Sequence, residues 1–164
     1  MKPALLVIDV QNEFFEFSPT TKQSLEASVE YINAAIELFR ERELPVVAVL
    51  HQDEEEGLVP GSPGFEMHPS INLLPSDLRI VKTYGNAFNK TPLAEELRTL
   101  DVDTVIITGF CAEYCILSTY RGAQDQDLTS ILFRGSLASS IPEHIRFVEA
   151  INDVISYGAL KAVL

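Results

Sequence analysis

Short, unbroken apolar runs alternate along this chain with longer segments whose apolar residues recur at three and four, and that alternation restricts the fold more than any other feature. Ala4 to Ile8, Val46 to Leu50, Leu78 to Val81, Thr104 to Thr108 and Leu128 to Phe133 read as strands; runs without polar alternation are those covered on both faces of a sheet. Between them, Leu25, Val29, Ile32, Ala35, Ile36 and Phe39 mark a helix from about Lys22 to Glu43. Thr91-Pro92 opens a second helix through about Leu100, and Ala112 to Asp125 and Pro142 to Tyr157 supply two more. Gly158 ends the last of these, and Leu160 to Leu164 is expected to add a final strand. The order predicts an α/β fold, a mostly parallel sheet with helices on both faces and a ligand crevice outside the carboxyl ends of the strands. The 164 residues are expected to form one domain, 1–164. The stretch from His51 to Asp77, rich in Pro, Gly and acids, is a long loop of the kind that forms binding segments and lids.

Acidic residues number 24 against 12 basic ones, a formal charge of −12. That charge repels phosphate backbones and anionic membrane surfaces, so neither nucleic acid nor a membrane is an expected partner. No apolar run approaches the ~18 residues that mark a transmembrane helix. Between Met1-Lys2-Pro3 and Asp9 the apolar stretch is too short for a signal-peptide core, so a cytoplasmic location is expected. The two cysteines, Cys111 and Cys115, share one helix face at a spacing poorly suited to a disulfide.

Three reactive side chains fall at or just past predicted strand ends: Asp9, Lys82 and Cys115. This topology can bring them to one crevice. A free thiol has a pKa of about 8.5 and is mostly protonated at neutral pH, so a nucleophilic cysteine needs help. The first turn of a helix favours an anion at Cys115, Asp9 can accept the thiol proton, and Lys82 can stabilise charge or hold the carboxylate. Each also has an ordinary structural role open to it: Asp9 as a turn cap, Lys82 as a solvated surface lysine, Cys115 as a small core residue. Cys111 reads as structural or pocket-lining.

These residues carry a resemblance. Asp9-Val10-Gln11-Asn12-Glu13-Phe14 resembles the D-x-Q-x-x-F opening of the isochorismatase-like cysteine hydrolase superfamily, which includes nicotinamidases, N-carbamoylsarcosine amidases and isochorismatases. Gly64-Phe65-Glu66-Met67-His68-Pro69 is similar to its G-x-E-x-H-P stretch, Lys82 with Ala87-Phe88 and Thr91 to its K-x-x-x-x-A-F-x-x-T segment, and Thr108-Gly109-Phe110 leads into Cys115 as the nucleophile motif does. The resemblance implies a three-layer α/β/α sandwich, with Asp9 as general base, Lys82 as its cationic partner and Cys115 as nucleophile. It also implies a cis Phe110-Cys111 peptide, an oxyanion hole from the backbone amides of Cys111 and Cys115, and a homo-oligomer. No cofactor is expected, and the partner is a small-molecule substrate.

The chain departs from the superfamily in places. His51-Gln52-Asp53-Glu54-Glu55-Glu56 stands where nicotinamidases have a metal-binding D-x-H segment, so no metal is expected; His51, Asp53 and His68 are the residues that such a site would draw on. Cys111-Ala112-Glu113-Tyr114 replaces the Ala-Thr-polar residues common before the nucleophile. Phe14, Tyr84, Phe88, Tyr114 and Tyr120 are the aromatic candidates for the substrate pocket, with core packing as the alternative for each. The expected reaction is cleavage of a C–N bond in a small amide or carbamoyl compound. Hydrolysis of a small enol ether, or an inactive relative serving as a scaffold, are the alternatives; a receiver or flavodoxin module lacks its signature residues after the first strand.

Overall fold

The computed structural model describes residues 1–164. Its elements run β1 (Pro3–Ile8), α1 (Asn12–Phe15), α2 (Pro19–Glu41), β2 (Val46–His51), β3 (Leu78–Lys82), α3 (Leu93–Thr99), β4 (Thr104–Phe110), a π-helical turn (Ala112–Ile116), α4 (Leu117–Asp125), β5 (Thr129–Ala138), α5 (Glu143–Ala150), β6 (Val154–Ile155) and α6 (Tyr157–Val163). The six strands lie in the order β3-β2-β1-β4-β5-β6, and every pairing is parallel.

Successive residues of a strand face opposite sides, and here both sides are apolar. β1 sends Leu5 and Val7 to one core and Ala4, Leu6 and Ile8 to the other, and β2 divides Val46, Ala48 and Leu50 from Val47 and Val49 in the same way. The first core is closed by α2 through Leu25, Ile32, Ile36 and Phe39, with Leu160 of α6. The second is closed by Leu93 and Leu97 of α3, Tyr120 and Ala123 of α4 and Val148 of α5. Ser18 caps α2 by accepting the Thr21 N–H at 3.1 Å, which starts that helix at Pro19, ahead of Lys22. No helix is long and apolar enough to cross a membrane.

The C-terminal elements differ from the sequence reading. The last strand is Val154–Ile155, and Leu160 to Leu164 lies in and just beyond a helix. Leu160 is buried and Leu164 half-buried while the residues between are exposed, a spacing of four that suits a helix face and not a strand. Ser156 caps this helix through the Ala159 N–H. The preceding helix stops at Ala150, short of Tyr157, because Asp153 N–H turns to the Tyr120 hydroxyl at 3.0 Å and the chain joins the sheet.

The strand order reverses between β1 and β4, and there the connections leave in opposite directions and open a crevice. Gly109 sets how closely these strands approach: its φ is +115°, and a Cβ there would collide with the Ile8 carbonyl. Asp9, at φ 54°, turns the chain off β1 in the left-handed region. The crevice therefore receives Asp9 from one strand and the Cys111 to Cys115 segment from its neighbour.

Candidate active site

Gln11 fixes the floor of the crevice. Its Nε2 donates to the carbonyls of His51 (2.9 Å) and Phe65 (2.8 Å), and its Oε1 accepts the His51 N–H at 2.8 Å. One buried side chain thus joins the end of β1 to the end of β2 and to the long loop, which is further anchored by His68 N–H on the Val10 carbonyl at 2.8 Å. After Lys82, the Ala87 N–H donates to Thr119 Oγ1 at 3.0 Å and seats that segment on α4. These contacts give the second polar residue of the first motif and the alanine of the third a structural reason.

The structure brings Asp9, Lys82 and Cys115 together. Lys82 Nζ lies 2.9 Å from Asp9 Oδ2, and the two side chains are 0% and 1% exposed. The same ammonium donates to Cys115 Sγ at 3.4 Å and is 3.1 Å from His51 Nδ1. An ammonium has three N–H donors and no acceptor, so these three partners satisfy it fully. Asp9 Oδ1 is different: it is buried without a hydrogen-bond partner of ordinary geometry. The neighbouring Cys115 thiol is the group able to direct a proton toward this carboxylate.

Burial first, and then the Asp9 charge, push the Cys115 thiol up to about 12 against the pull of Lys82. The resting sulfur is therefore a protonated thiol beside a base, not a free thiolate. This has a checkable consequence. Iodoacetamide should alkylate Cys115 more slowly than free cysteine at pH 8, and Asp9→Asn should speed the labelling by leaving Lys82 as the sole charge beside the sulfur. Peptide mass spectrometry at several times reads both rates, and an unchanged rate in Asp9→Asn would remove the carboxylate from control of the thiol.

Cys111 caps the π-helical turn, and the Phe110-Cys111 peptide is cis. Its thiol donates to Glu113 Oε2 at 3.1 Å, and burial together with that carboxylate raises it to about 11. Glu113 also accepts from Ser139 Oγ at 2.8 Å and pairs with His144 Nδ1 at 2.9 Å. Burial opposes the Glu113 charge, but its own backbone N–H and the donors His144, Ser139 and Cys111 outweigh it and hold the carboxyl below its ordinary range. The network ties β5 and α5 to the turn that carries Cys115.

A cavity of about 340 Å³ opens over these groups. Phe14, Phe17, Phe110, Tyr114 and Ile141 give it apolar walls, while Asp9, His51, Glu113, Ser140 and the two cysteines add polar atoms. Of the aromatic candidates, Phe14 and Tyr114 face it. Tyr84, Phe88 and Tyr120 do not: Tyr84 is exposed beside Lys90, and Phe88 and Tyr120 are buried in the second core. Phe17, Ser140 and Ile141 gave no signal in the sequence, because they reach the cavity from loops that no motif marks.

His51, Asp53 and His68 do not assemble into a metal site, and no group of three or more potential ligand side chains gathers anywhere in the chain. His51 Nδ1 is occupied by Lys82, Asp53 Oδ1 accepts the Glu55 and Glu56 N–H groups of its own loop, and the His68 ring stacks on Phe15 with Nδ1 on Ser70.

A sequence model of the isochorismatase domain matches residues 3–153. The chain belongs to the isochorismatase family. Among its family relatives is the isochorismatase family protein YrdC of Bacillus subtilis, 30% identical over 122 residues, a match covering 73% of this chain and 65% of that protein. The N-carbamoylsarcosine amidase of Thermoplasma acidophilum superposes with a TM-score of 0.82 at 27% identity, over 96% of this chain and 97% of that one. An isochorismatase-like hydrolase from Alkaliphilus metalliredigens shares the fold with a TM-score of 0.89 over 99% of both chains, at 22% identity. The isochorismatase fold is thus present along nearly the whole chain, with its six-stranded parallel sheet flanked by helices.

Proposed function

We propose that this isochorismatase-family chain is a cysteine hydrolase that cleaves the C–N bond of a small amide or carbamoyl compound through an acyl intermediate on Cys115. The observation that carries the reading is a single buried ammonium, Lys82, that holds both a carboxylate and a thiol at the cavity wall. The resting protonation fits this role. Asp9 takes the thiol proton as sulfur attacks the carbonyl carbon, so the charged thiolate forms only when a substrate has displaced water. The developing oxyanion finds backbone donors at Cys111 and Cys115; the Cys111 N–H makes no hydrogen bond within the chain and is free for it. The proton on Asp9 then passes to the leaving amine, which departs as the C–N bond breaks. Water, deprotonated by Asp9, adds to the thioester and releases the acid and the thiol.

The cavity walls favour an amide over an acidic enol ether. Asp9 and Glu113 both line the space, and the one cation near it, Lys82, is inaccessible and already satisfied. A polyanionic substrate would meet two carboxylates and no free positive group. A panel of small neutral carboxamides and carbamoyl amines tests the reading: amine or ammonia release is expected for at least one, and acid quenching should trap an acyl mass on the peptide containing Cys115. No release and no adduct across the panel would overturn the hydrolase and leave a binding scaffold.

A further inference from the structure

Lys82 fixes the protonation pattern of a residue that the reaction itself leaves unused. An ammonium only donates, so the 3.1 Å contact between Lys82 Nζ and His51 Nδ1 makes Nδ1 the acceptor. A neutral imidazole whose Nδ1 accepts carries its proton on Nε2. Nε2 makes no hydrogen bond within the chain, although His51 lines the main cavity and also an adjoining one of about 220 Å³. The two cavities share Phe14 and Phe17 as well, so the ring sits at their junction. Its backbone is held on both sides by Gln11, through the His51 N–H and carbonyl.

We propose that His51 is a specificity residue, a fixed neutral donor whose Nε2–H faces the junction of the two cavities and selects a carboxamide bearing a second, uncharged acceptor atom beside the scissile group. The site's other charged walls, Asp9 and Glu113, are acceptors, so a substrate acceptor has little else to meet than this N–H and the small hydroxyls. Neutrality of the ring matters as much as its direction: it rewards a ring nitrogen or carbonyl oxygen without attracting an anion, which the carboxylates repel. The substrate class that follows is a neutral heteroaromatic or acyl-substituted carboxamide. The inference rests on the hydrolase reading for the identity of the scissile group, but not for the donor itself.

The test uses benzamide and its three pyridine isosteres, which differ only in whether and where the ring carries an acceptor nitrogen. In the unliganded wild-type protein labelled with nitrogen-15 at histidine, the His51 resonances should show a protonated Nε2 and an unprotonated Nδ1. With Cys115→Ala to prevent turnover, one pyridine isomer should bind about fivefold or more tighter than benzamide, the worth of one neutral hydrogen bond, and should shift the Nε2 resonance. His51→Asn, which keeps an acceptor for Lys82 but withdraws the donor from the cavity, should abolish the preference. A charged ring or an Nδ1–H tautomer overturns the proposal. So does equal binding of all four compounds, their failure to bind included, or a preference that survives in His51→Asn. Because binding is read without catalysis, a pyridine preference combined with no turnover in the wild type would sink the hydrolase reading alone.

Discussion

Cys115→Ser is expected to lower kcat for amide hydrolysis by on the order of 10³-fold or more while leaving the unfolding midpoint nearly unchanged. Oxygen replaces sulfur with little change in shape, and the hydroxyl can still accept from Lys82, so the cavity and the buried ion pair persist. What is lost is acidity and nucleophilicity. The thiol is already held up to about 12 by burial and by Asp9, and a hydroxyl starts far higher, beyond the reach of a carboxylate base. Asp9→Asn should cost as much, because it removes the proton acceptor on which the thiol depends. The double variant should be little worse than either single one, as residues that act in one step are not additive. Steady-state rates with the amide found in the panel, together with trapping of the acyl intermediate, read these effects. A serine variant that keeps a tenth of the wild-type rate would mean that water attacks the substrate directly and that Cys115 is only a wall of the cavity.

The contrast between Asp9→Asn in labelling and in turnover separates two meanings of an activated cysteine. Sequence reasoning places Cys115 at the start of a helix and expects help from its positive end. The structure puts it in a π-helical turn, most of it out of water, where desolvation dominates and the sulfur rests protonated. Position along the chain shows which residues reach the strand ends; it does not show how dry the place is. The same limit explains the aromatic candidates. Phe14 and Tyr114 flank Asp9 and Cys115 and face the cavity, whereas Tyr120 follows the helix period onto the face of α4 that meets the sheet. The strands β1, β2 and β4 were legible because both of their faces are covered, which leaves unbroken apolar runs. The C-terminal turn of the fold was not, because a two-residue strand and a short helix offer too few positions for a period to emerge.

Lys82→Met carries the largest expected loss of stability, about 3–5 kcal/mol. Neither side chain of the Lys82–Asp9 pair is measurably exposed, so removing the ammonium leaves a carboxylate in the interior with one oxygen already unpartnered. His51 Nδ1 loses its donor in the same step. Against a total of roughly 5–15 kcal/mol for a domain of this kind, that loss brings the variant close to unfolding at ordinary temperatures. The cost lies in the stranded charge more than in the attraction between the partners. Asp9→Asn/Lys82→Met should therefore regain part of it, since two neutral groups of similar shape replace the pair. Arg79 and Glu66 supply the control: they lie 2.8 Å apart, but their side chains are 46% and 54% exposed, so Arg79→Met should change stability by no more than about 1 kcal/mol. Urea unfolding of the four proteins, with the slope checked for a two-state transition, decides the matter. If Lys82→Met costs no more than Arg79→Met, water reaches Asp9 in solution, and the dry thiol–carboxylate pair on which the proposed chemistry depends does not exist.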